Sequence, residues 1–179
     1  LRQNILVRLR MAKLSFDRLE DTWERLLLHT DHSKEAAEAL STVFGVVYAS
    51  PAVECETEIN GIVRLVRDLA CKKLRQGDTF AIRVRRVGKH EFTSTQVARI
   101  VGSSVVEALK DKDIEVGVDL DSPSREFFIE IRQDRCFVYD TVIAGVGGLP
   151  FGSQGKVVSF LRDHNGIMAT WLMMKRGCA

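Results

Sequence analysis

Several cationic side chains cluster at one stretch of the chain where polar and apolar residues alternate. Phe80, Ile82 and Val84 alternate with Arg83 and Arg85, which is the period-2 pattern of a strand with one buried and one basic face. Cations aligned along a strand can neutralise successive phosphates of a nucleic acid, which gives affinity but no readout of base sequence. The alternative is a solvated strand face whose surface ion pairs each contribute under about 1 kcal/mol. The predicted phosphate contacts are Arg83, Arg85, Arg86, Lys89 and Arg99, with His90 beside them.

A glycine-rich loop is the second candidate for anion binding. Four glycines fall between Gly145 and Gly152, and Ser153-Gln154-Gly155-Lys156 follows them. Glycines let backbone N–H groups approach a phosphate closely. The stretch is not a Walker sequence, because Lys156 is followed by Val157 and not by a hydroxyl residue. A flexible interdomain linker is the alternative interpretation.

Other polar clusters predict no catalytic residue and no metal site. The carboxylates between Asp111 and Asp121 have no clustered histidines beside them, so we interpret them as a solvated acidic surface. His29 and His32 are too close in sequence for an i, i+4 metal pair on a helix. Asp163 precedes a histidine, but no Ser or Cys nucleophile is placed near that pair.

Composition excludes several classes of protein. A chain of 179 residues that is 45% hydrophobic is expected to fold into one sizeable core or two small ones. The formal net charge is only +2, so any basic surface must be local. No apolar run approaches the roughly 20 residues of a membrane helix. The four cysteines are scattered, as is typical of reduced thiols in the cytoplasm. Because the chain starts at Leu1 and ends at Ala179 directly after an apolar run, we interpret it as a fragment cut at both ends.

The elements that must position these residues follow an α+β order. A first helix is predicted at the start of the chain, strands over 15–21 and 23–30, and a second helix capped by Ser33. A strand over 46–50 completes a ferredoxin-like unit that lacks its first strand. Helices over 59–74 and 94–110 then flank the basic strand, and a strand near 118 precedes a hairpin over 127–139. A strand over 156–161 and a helix containing Trp171 are predicted last.

Five segments together carry a specific likeness to one known family. They are residues 44–46, 50–54, 79–90, 147–156 and 172–177, so the likeness covers nearly the whole chain. Read together, they resemble the tRNA 4-thiouridine synthetases. The resemblance implies a ferredoxin-like N-terminal domain at 1–75, an α/β THUMP domain at 76–146, and from 147 to 179 a linker and the start of a Rossmann-like PP-loop domain. It also implies that the chain binds the acceptor stem of tRNA, with Gly148, Gln154 and Lys156 near its 3′ end.

One departure from that family concerns its ATP-binding loop. The family places Ser-Gly-Gly-x-Asp-Ser before Leu172, whereas this chain has Arg162-Asp163-His164-Asn165-Gly166. In the family, glycines allow backbone amides to surround the pyrophosphate of ATP. An aspartate at this place puts a negative charge next to that pyrophosphate and repels it. No cofactor is therefore expected, although the family implies ATP, and no catalytic residue is carried over.

Three functions are compatible with the resemblance. We expect a cytoplasmic, non-catalytic tRNA-binding module that serves a sulfur-transfer enzyme partner, and we leave open whether it forms a homodimer. The first alternative is a divergent, active ATP-dependent tRNA sulfurtransferase that is completed by missing sequence or by a second chain. The second is the THUMP domain of another tRNA modifier, such as a methyltransferase or a pseudouridine synthase.

Overall fold

The computed structural model describes residues 1–22 and 25–179 and divides them into two compact units. The flanking unit combines Leu1–Pro51 with Thr141–Ala179, and the central unit is Ala52–Asp140. We predicted boundaries after residues 75 and 146, whereas the structure divides the chain after residues 51 and 140. The structure groups the helix over 59–73 with the central unit because its apolar residues Ile62, Val66 and Ala70 are buried in that unit's core.

Helices and strands alternate through the described residues, which confirms the predicted α+β class. In chain order the elements are α1 (Arg2–Met11), β1 (Arg18–Thr22), β2 (Arg25–His29), α2 (Ser33–Ser41), β3 (Tyr48–Ala49), β4 (Val53–Cys55), α3 (Ile59–Lys73), β5 (Thr79–Val87), α4 (Ser94–Lys110), β6 (Gly117–Val118), β7 (Arg125–Arg132), β8 (Arg135–Tyr139), β9 (Ile143–Ala144) and α5 (His164–Lys175).

The flanking unit is built from both ends of the chain. β1 pairs with β2 in an antiparallel hairpin, and β3 pairs antiparallel with β9, which follows the central unit in sequence. Trp23 and Glu24, which belong to the second predicted strand, lie outside the described residues. Apolar residues of α1, β1, α2 and the turn after α2 share one core: Ile5, Leu9, Leu19, Ala36, Leu40 and Val43.

The central unit is a five-stranded sheet with two helices on one face. The strand order is β4-β8-β7-β5-β6, in which β5 runs parallel to β6 and β7 while β8 runs antiparallel to β4 and β7. The buried apolar residues of α3 and α4 recur at every fourth position, so each helix presents one continuous apolar stripe to the sheet. The completely buried members of this core include Ile62, Val66, Ala70, Phe80, Val97, Val101, Val105, Leu109, Phe127 and Ile131.

Three sequence-based expectations about strands differ from the structure. β4 and β9 were not predicted, because strands of three and two residues are too short to show an alternating pattern. The predicted strand over 156–161 was wrong. Every residue of that segment is exposed, and no neighbouring strand pairs with it among the described residues, so its backbone has no ladder to join.

Candidate nucleic-acid interface

Arg83 lies on the face of β5 that points away from the helices, and its charge is already balanced. Its Nε donates to Glu126 Oε1 at 2.7 Å and an Nη donates to the Leu120 carbonyl at 2.8 Å. The side chain is 38% exposed, so the ion pair is partly screened by solvent. Arg83 therefore helps to hold β5 and β7 together as well as adding to the basic face.

Acidic residues of the same sheet pair with the other arginines of this face. Arg132 donates from Nε to Glu130 at 2.7 Å, and Arg135 donates to both carboxylate oxygens of Glu54 at 2.6 and 3.1 Å. Glu130 is buried, and Arg132 is its ion-pair partner on the same strand. In the register of β5 with β7, the exposed Arg85 lies opposite Glu130. This face is thus close to charge balance, which the run of arginines alone did not reveal.

The cationic side chains in the turn from β5 to α4 differ from the arginines of the sheet face, which are paired with carboxylates. Lys89 is exposed and has no acidic partner among the residues that the structure describes. Arg86 donates from an Nη to the His90 carbonyl at 3.5 Å, while its buried Nε has no hydrogen-bond partner. The guanidinium of Arg86 therefore keeps an unused donor at this turn.

Two aromatic rings stack in the same turn. The centroids of His90 and Phe92 are 5.4 Å apart with planes 19° from parallel, and the His90 ring also contacts the Val87 carbonyl at 3.2 Å. The two residues are two positions apart in the sequence, but only the folded turn shows that their rings stack. A flat ring surface beside cations is an arrangement on which a nucleobase can stack.

The N-terminus of α4, which is the positive end of the helix dipole, lies at this turn. Thr93 Oγ1 accepts a hydrogen bond from the Gln96 backbone N–H at 3.2 Å, and Gln96 Oε1 accepts one from the Thr93 N–H at 2.8 Å. The first turn of the helix contains no acidic residue, and the exposed Glu91 lies two residues before the cap. Arg99 is exposed about one and a half turns further along and has no acidic partner among the described residues. We call Arg86, Lys89, His90, Phe92 and Arg99 the β5–α4 cluster.

The glycine-rich loop has a structural role that the sequence did not predict. Gly148 has a φ of +78°, and a Cβ added to it would lie 2.2 Å from the Lys175 carbonyl oxygen. The neighbouring Leu149 donates its backbone N–H to that same oxygen at 2.9 Å. Gly148 is therefore packed against the end of α5, and its glycine identity follows from this contact.

Gln154 and Lys156 lie in the same loop with exposed side chains. The Gln154 backbone N–H donates to Gly177 at 2.9 Å, so the backbone is held while the side chain faces solvent. Lys156 has no acidic partner among the described residues. Both residues belong to the flanking unit, whereas the β5–α4 cluster belongs to the central unit. The predicted site residues are thus divided between the two units.

The residues that replace the ATP-binding loop do not fit a phosphate group. Asp163 caps the start of α5, where its Oδ1 accepts the Gly166 backbone N–H at 2.9 Å. A Cβ added at Gly166 would lie 2.5 Å from the Phe160 carbonyl oxygen, so the backbone here is closely packed. A carboxylate therefore takes the helix-start amide that a phosphate oxygen would need, and its negative charge repels that phosphate.

The remaining candidates are structural. Asp119 accepts backbone hydrogen bonds from Ser122 and Asp121 at 3.0 and 2.9 Å, and these bonds hold the pKa of its carboxyl below the usual value. His29 Nε2 lies 3.3 Å from Glu20 Oε2 on the paired strand. Within the described ranges, no group of three or more His, Cys, Asp or Glu side chains is arranged to hold a metal ion. None of the described helices is long and apolar enough to span a membrane.

Comparison with known proteins identifies the central unit. The family model of the THUMP domain matches residues 56–140. A probable tRNA sulfurtransferase of Methanosarcina acetivorans is 38% identical over 178 residues, which cover 99% of this chain and 43% of that protein. The corresponding protein of Methanothermobacter thermautotrophicus is 43% identical over 160 residues, which cover 86% of this chain and 40% of that protein. The chain thus spans less than half the length of these curated relatives.

Solved structures share the fold of the whole chain. A protein from Pyrococcus horikoshii Ot3 matches with a TM-score of 0.87 and 30% identity, covering 98% of this chain and 57% of the other. A 4-thiouridine synthetase solved as a complex with RNA and bound ATP matches with a TM-score of 0.77 over 99% of this chain and 46% of the other. Its identity is 20%, so that likeness is one of fold alone.

Proposed function

The chain carries a THUMP domain and is related to the probable tRNA sulfurtransferases, and from this premise we propose that it binds the acceptor end of tRNA for uridine thiolation. The tRNA would be held by phosphate contacts, which position a nucleic acid without reading its bases. The proposed contacts remain Arg83, Arg85, Arg86, Lys89 and Arg99 in the central unit and Gly148, Gln154 and Lys156 in the flanking unit.

The observation that carries this proposal is the set of cations without carboxylate partners in the β5–α4 cluster. Lys89 and Arg99 are exposed and unpaired among the described residues, and they flank a helix start that itself attracts anions. Arg86 belongs to the same cluster, but its buried Nε is closed to solvent, so a phosphate contact would have to use its Nη atoms. Arg83 would contribute less, since Glu126 already balances its charge.

The stacked rings suggest which part of the tRNA lies at this cluster. Phosphate contacts alone do not distinguish one duplex end from another. A single-stranded end has unpaired bases, and such bases stack on aromatic side chains such as His90 and Phe92. The acceptor end of a tRNA, which joins a duplex stem to a single-stranded 3′ end, is the part that fits this combination, while Gly148, Gln154 and Lys156 remain the proposed contacts nearest the 3′ terminus.

We further propose that the chain does not bind ATP or catalyse thiolation by itself. Asp163 supports this, because it fills the helix start that would hold the phosphates. The sulfur chemistry would then be supplied by an enzyme partner in the cytoplasm.

The test is a comparison of RNA fragments at one fixed salt concentration. Whole tRNA and an acceptor-stem minihelix with its single-stranded 3′ end should bind with similar affinity. An anticodon stem-loop of equal length should bind about tenfold or more weakly. Removing the single-stranded 3′ end from the minihelix should also weaken binding. Equal affinity for both hairpins would contradict recognition of the acceptor end, and no binding to any RNA would overturn the proposed function.

A further inference from the structure

Cys55 and Cys136 face each other directly across two strands of the central unit. They are register partners in the antiparallel pair of β4 and β8. Residues opposed in this way have Cα atoms about 4.5 to 5.5 Å apart, which is within the range of about 4.4 to 6.8 Å that a disulfide needs. Both are free thiols in the structure. The geometry of a cross-strand disulfide is therefore present before any oxidation.

The two thiols are also in contact. Cys136 is completely buried in the core between sheet and helices, and the half-buried Cys55 packs against the same core. The two thiols are close enough for each to shift the pKa of the other, as their facing positions in the β4–β8 pair require. Cys71 and Cys178 differ from this pair, because neither is the strand partner of another cysteine.

The hydrogen bond between the two side chains makes the sulfurs unequal. It lowers the pKa of Cys55, because a donated hydrogen bond stabilises a thiolate. The same bond raises the pKa of Cys136, and burial raises it further. Cys55 is thus both the more exposed and the more acidic thiol of the pair, and these are the properties of an oxidation-sensitive cysteine that lies beside a second, resolving cysteine.

We propose that Cys55 and Cys136 form a redox-active pair that a hydroperoxide converts to a cross-strand disulfide. The Cys55 thiolate attacks the O–O bond of hydrogen peroxide, which gives a sulfenic acid and hydroxide, and the hydroxide takes up a proton to become water. Cys136 then attacks the Cys55 sulfur. The S–S bond forms while the S–O bond breaks, and the thiol proton of Cys136 leaves with the oxygen as a second water. Two thiols are oxidised by two electrons and one peroxide is reduced.

The disulfide would join the first and last strands of the central unit. β4 is an edge strand of three residues, which pairs with β8 and is tied to it by the Arg135–Glu54 ion pair. A covalent bond at Cys55 would close a long loop that contains most of the unit, and closing a long loop restricts the unfolded chain strongly. Oxidation should therefore stabilise the central unit. This inference is independent of the proposed function.

The experiment is peroxide treatment of the intact chain, followed by alkylation and peptide mapping of all four cysteines. The expected result is a peptide pair linked through Cys55 and Cys136, with Cys71 and Cys178 still alkylated. Dithiothreitol should restore both thiols. The thermal midpoint of the oxidised chain should exceed that of the reduced chain by several degrees.

The Cys55→Ser variant is the control, because it leaves the buried Cys136 in place. In this variant Cys136 should stay alkylatable at peroxide concentrations that link the pair in the parent chain. Its folding can be verified independently by circular dichroism. The proposal is overturned if Cys55 accumulates as sulfinic acid while Cys136 stays reduced. It is also overturned if the linked peptides involve Cys71 or Cys178, or if Cys55 is no more reactive than those two thiols.

Discussion

The cationic side chains of the central unit differ in whether a carboxylate already balances their charge. This difference determines how much affinity each one is expected to gain by binding a phosphate. Arg83 has Glu126 at 2.7 Å, whereas Lys89 and Arg99 have no such partner in the described part of the chain. Binding a phosphate to a paired arginine replaces one ion pair with another, so little is gained. Binding a phosphate to an unpaired cation releases condensed counterions and gives the larger gain in affinity.

The role of Arg83 can be tested by the free energy of unfolding. We expect Arg83→Ala to destabilise the chain by about 1 kcal/mol, since it removes a solvent-screened ion pair and a hydrogen bond to the Leu120 carbonyl. A double-mutant cycle with Glu126→Ala should give a coupling of about 0.5 kcal/mol in urea titrations. Arg64, exposed on α3, is the matched control, and Arg64→Ala should change stability by less than about 0.5 kcal/mol. A coupling of zero would show that Arg83 and Glu126 do not stabilise each other.

The sequence pattern identified the cationic side chains but not the carboxylates with which they pair. Glu126 lies 43 positions from Arg83, and the two meet only because β5 and β7 pair in parallel. That register depends on the packing of the whole sheet and cannot be read from either strand. The cysteine pair is a second contact that the sequence alone does not show. Cys55 and Cys136 are far apart in sequence and become neighbours because β4 pairs with β8.

Elements with a long repeating pattern were predicted well, and short ones were not. α3 and α4 follow from apolar residues at every fourth position, and β5 from its strict alternation. The segment 156–161 has β-branched and apolar residues but pairs with no strand in the described part of the chain, so its local preference for a strand has no effect. Strand propensity therefore predicts a strand only where a neighbouring strand can complete its hydrogen bonds.

The glycine-rich loop gives a test at the level of an element. Gly147 and Gly148 both have positive φ, but only Gly148 lacks room for a Cβ, because Lys175 is in the way. Gly148→Ala should destabilise the chain by about 2 kcal/mol or more, through left-handed backbone strain and a clash with the Lys175 carbonyl. Gly147→Ala introduces only the backbone strain and should lower the free energy of unfolding by about 1 kcal/mol. Equal losses in thermal or urea unfolding would show that the close contact with Lys175 does not matter.

At the scale of the whole molecule, the division into two units was the least predictable feature. The apolar stripe of α3 shows that the helix is buried but not which sheet it covers. The flanking unit also takes β9 and α5 from beyond the central unit, which is a long-range arrangement without a local signal. The resemblance to tRNA sulfurtransferases supplied the family and the class of fold, and the structure groups the described residues into two compact units.

The proposal that the chain does not bind ATP makes a prediction for the whole chain. ATP with Mg²⁺ should not raise the thermal midpoint, since a ligand stabilises a protein only when it binds the folded state. The Asp163 carboxylate at the start of α5 is the physical reason. Differential scanning fluorimetry over a series of ATP concentrations measures this directly, and AMP serves as the control nucleotide. A midpoint that rises with ATP concentration would contradict it.

The most direct test of tRNA binding is the salt dependence of affinity for an acceptor-stem minihelix. The logarithm of the association constant should fall linearly with the logarithm of salt concentration, and Lys89→Ala and Arg99→Ala should each reduce that slope by about 0.7 to 0.9, as expected for the loss of one phosphate contact. Lys112→Ala is the matched control, because it removes one exposed positive charge beyond the far end of α4 and should leave the slope unchanged. The β5–α4 cluster would be excluded as the RNA-binding surface if Lys89→Ala and Arg99→Ala both kept the slope of the parent chain, as Lys112→Ala should.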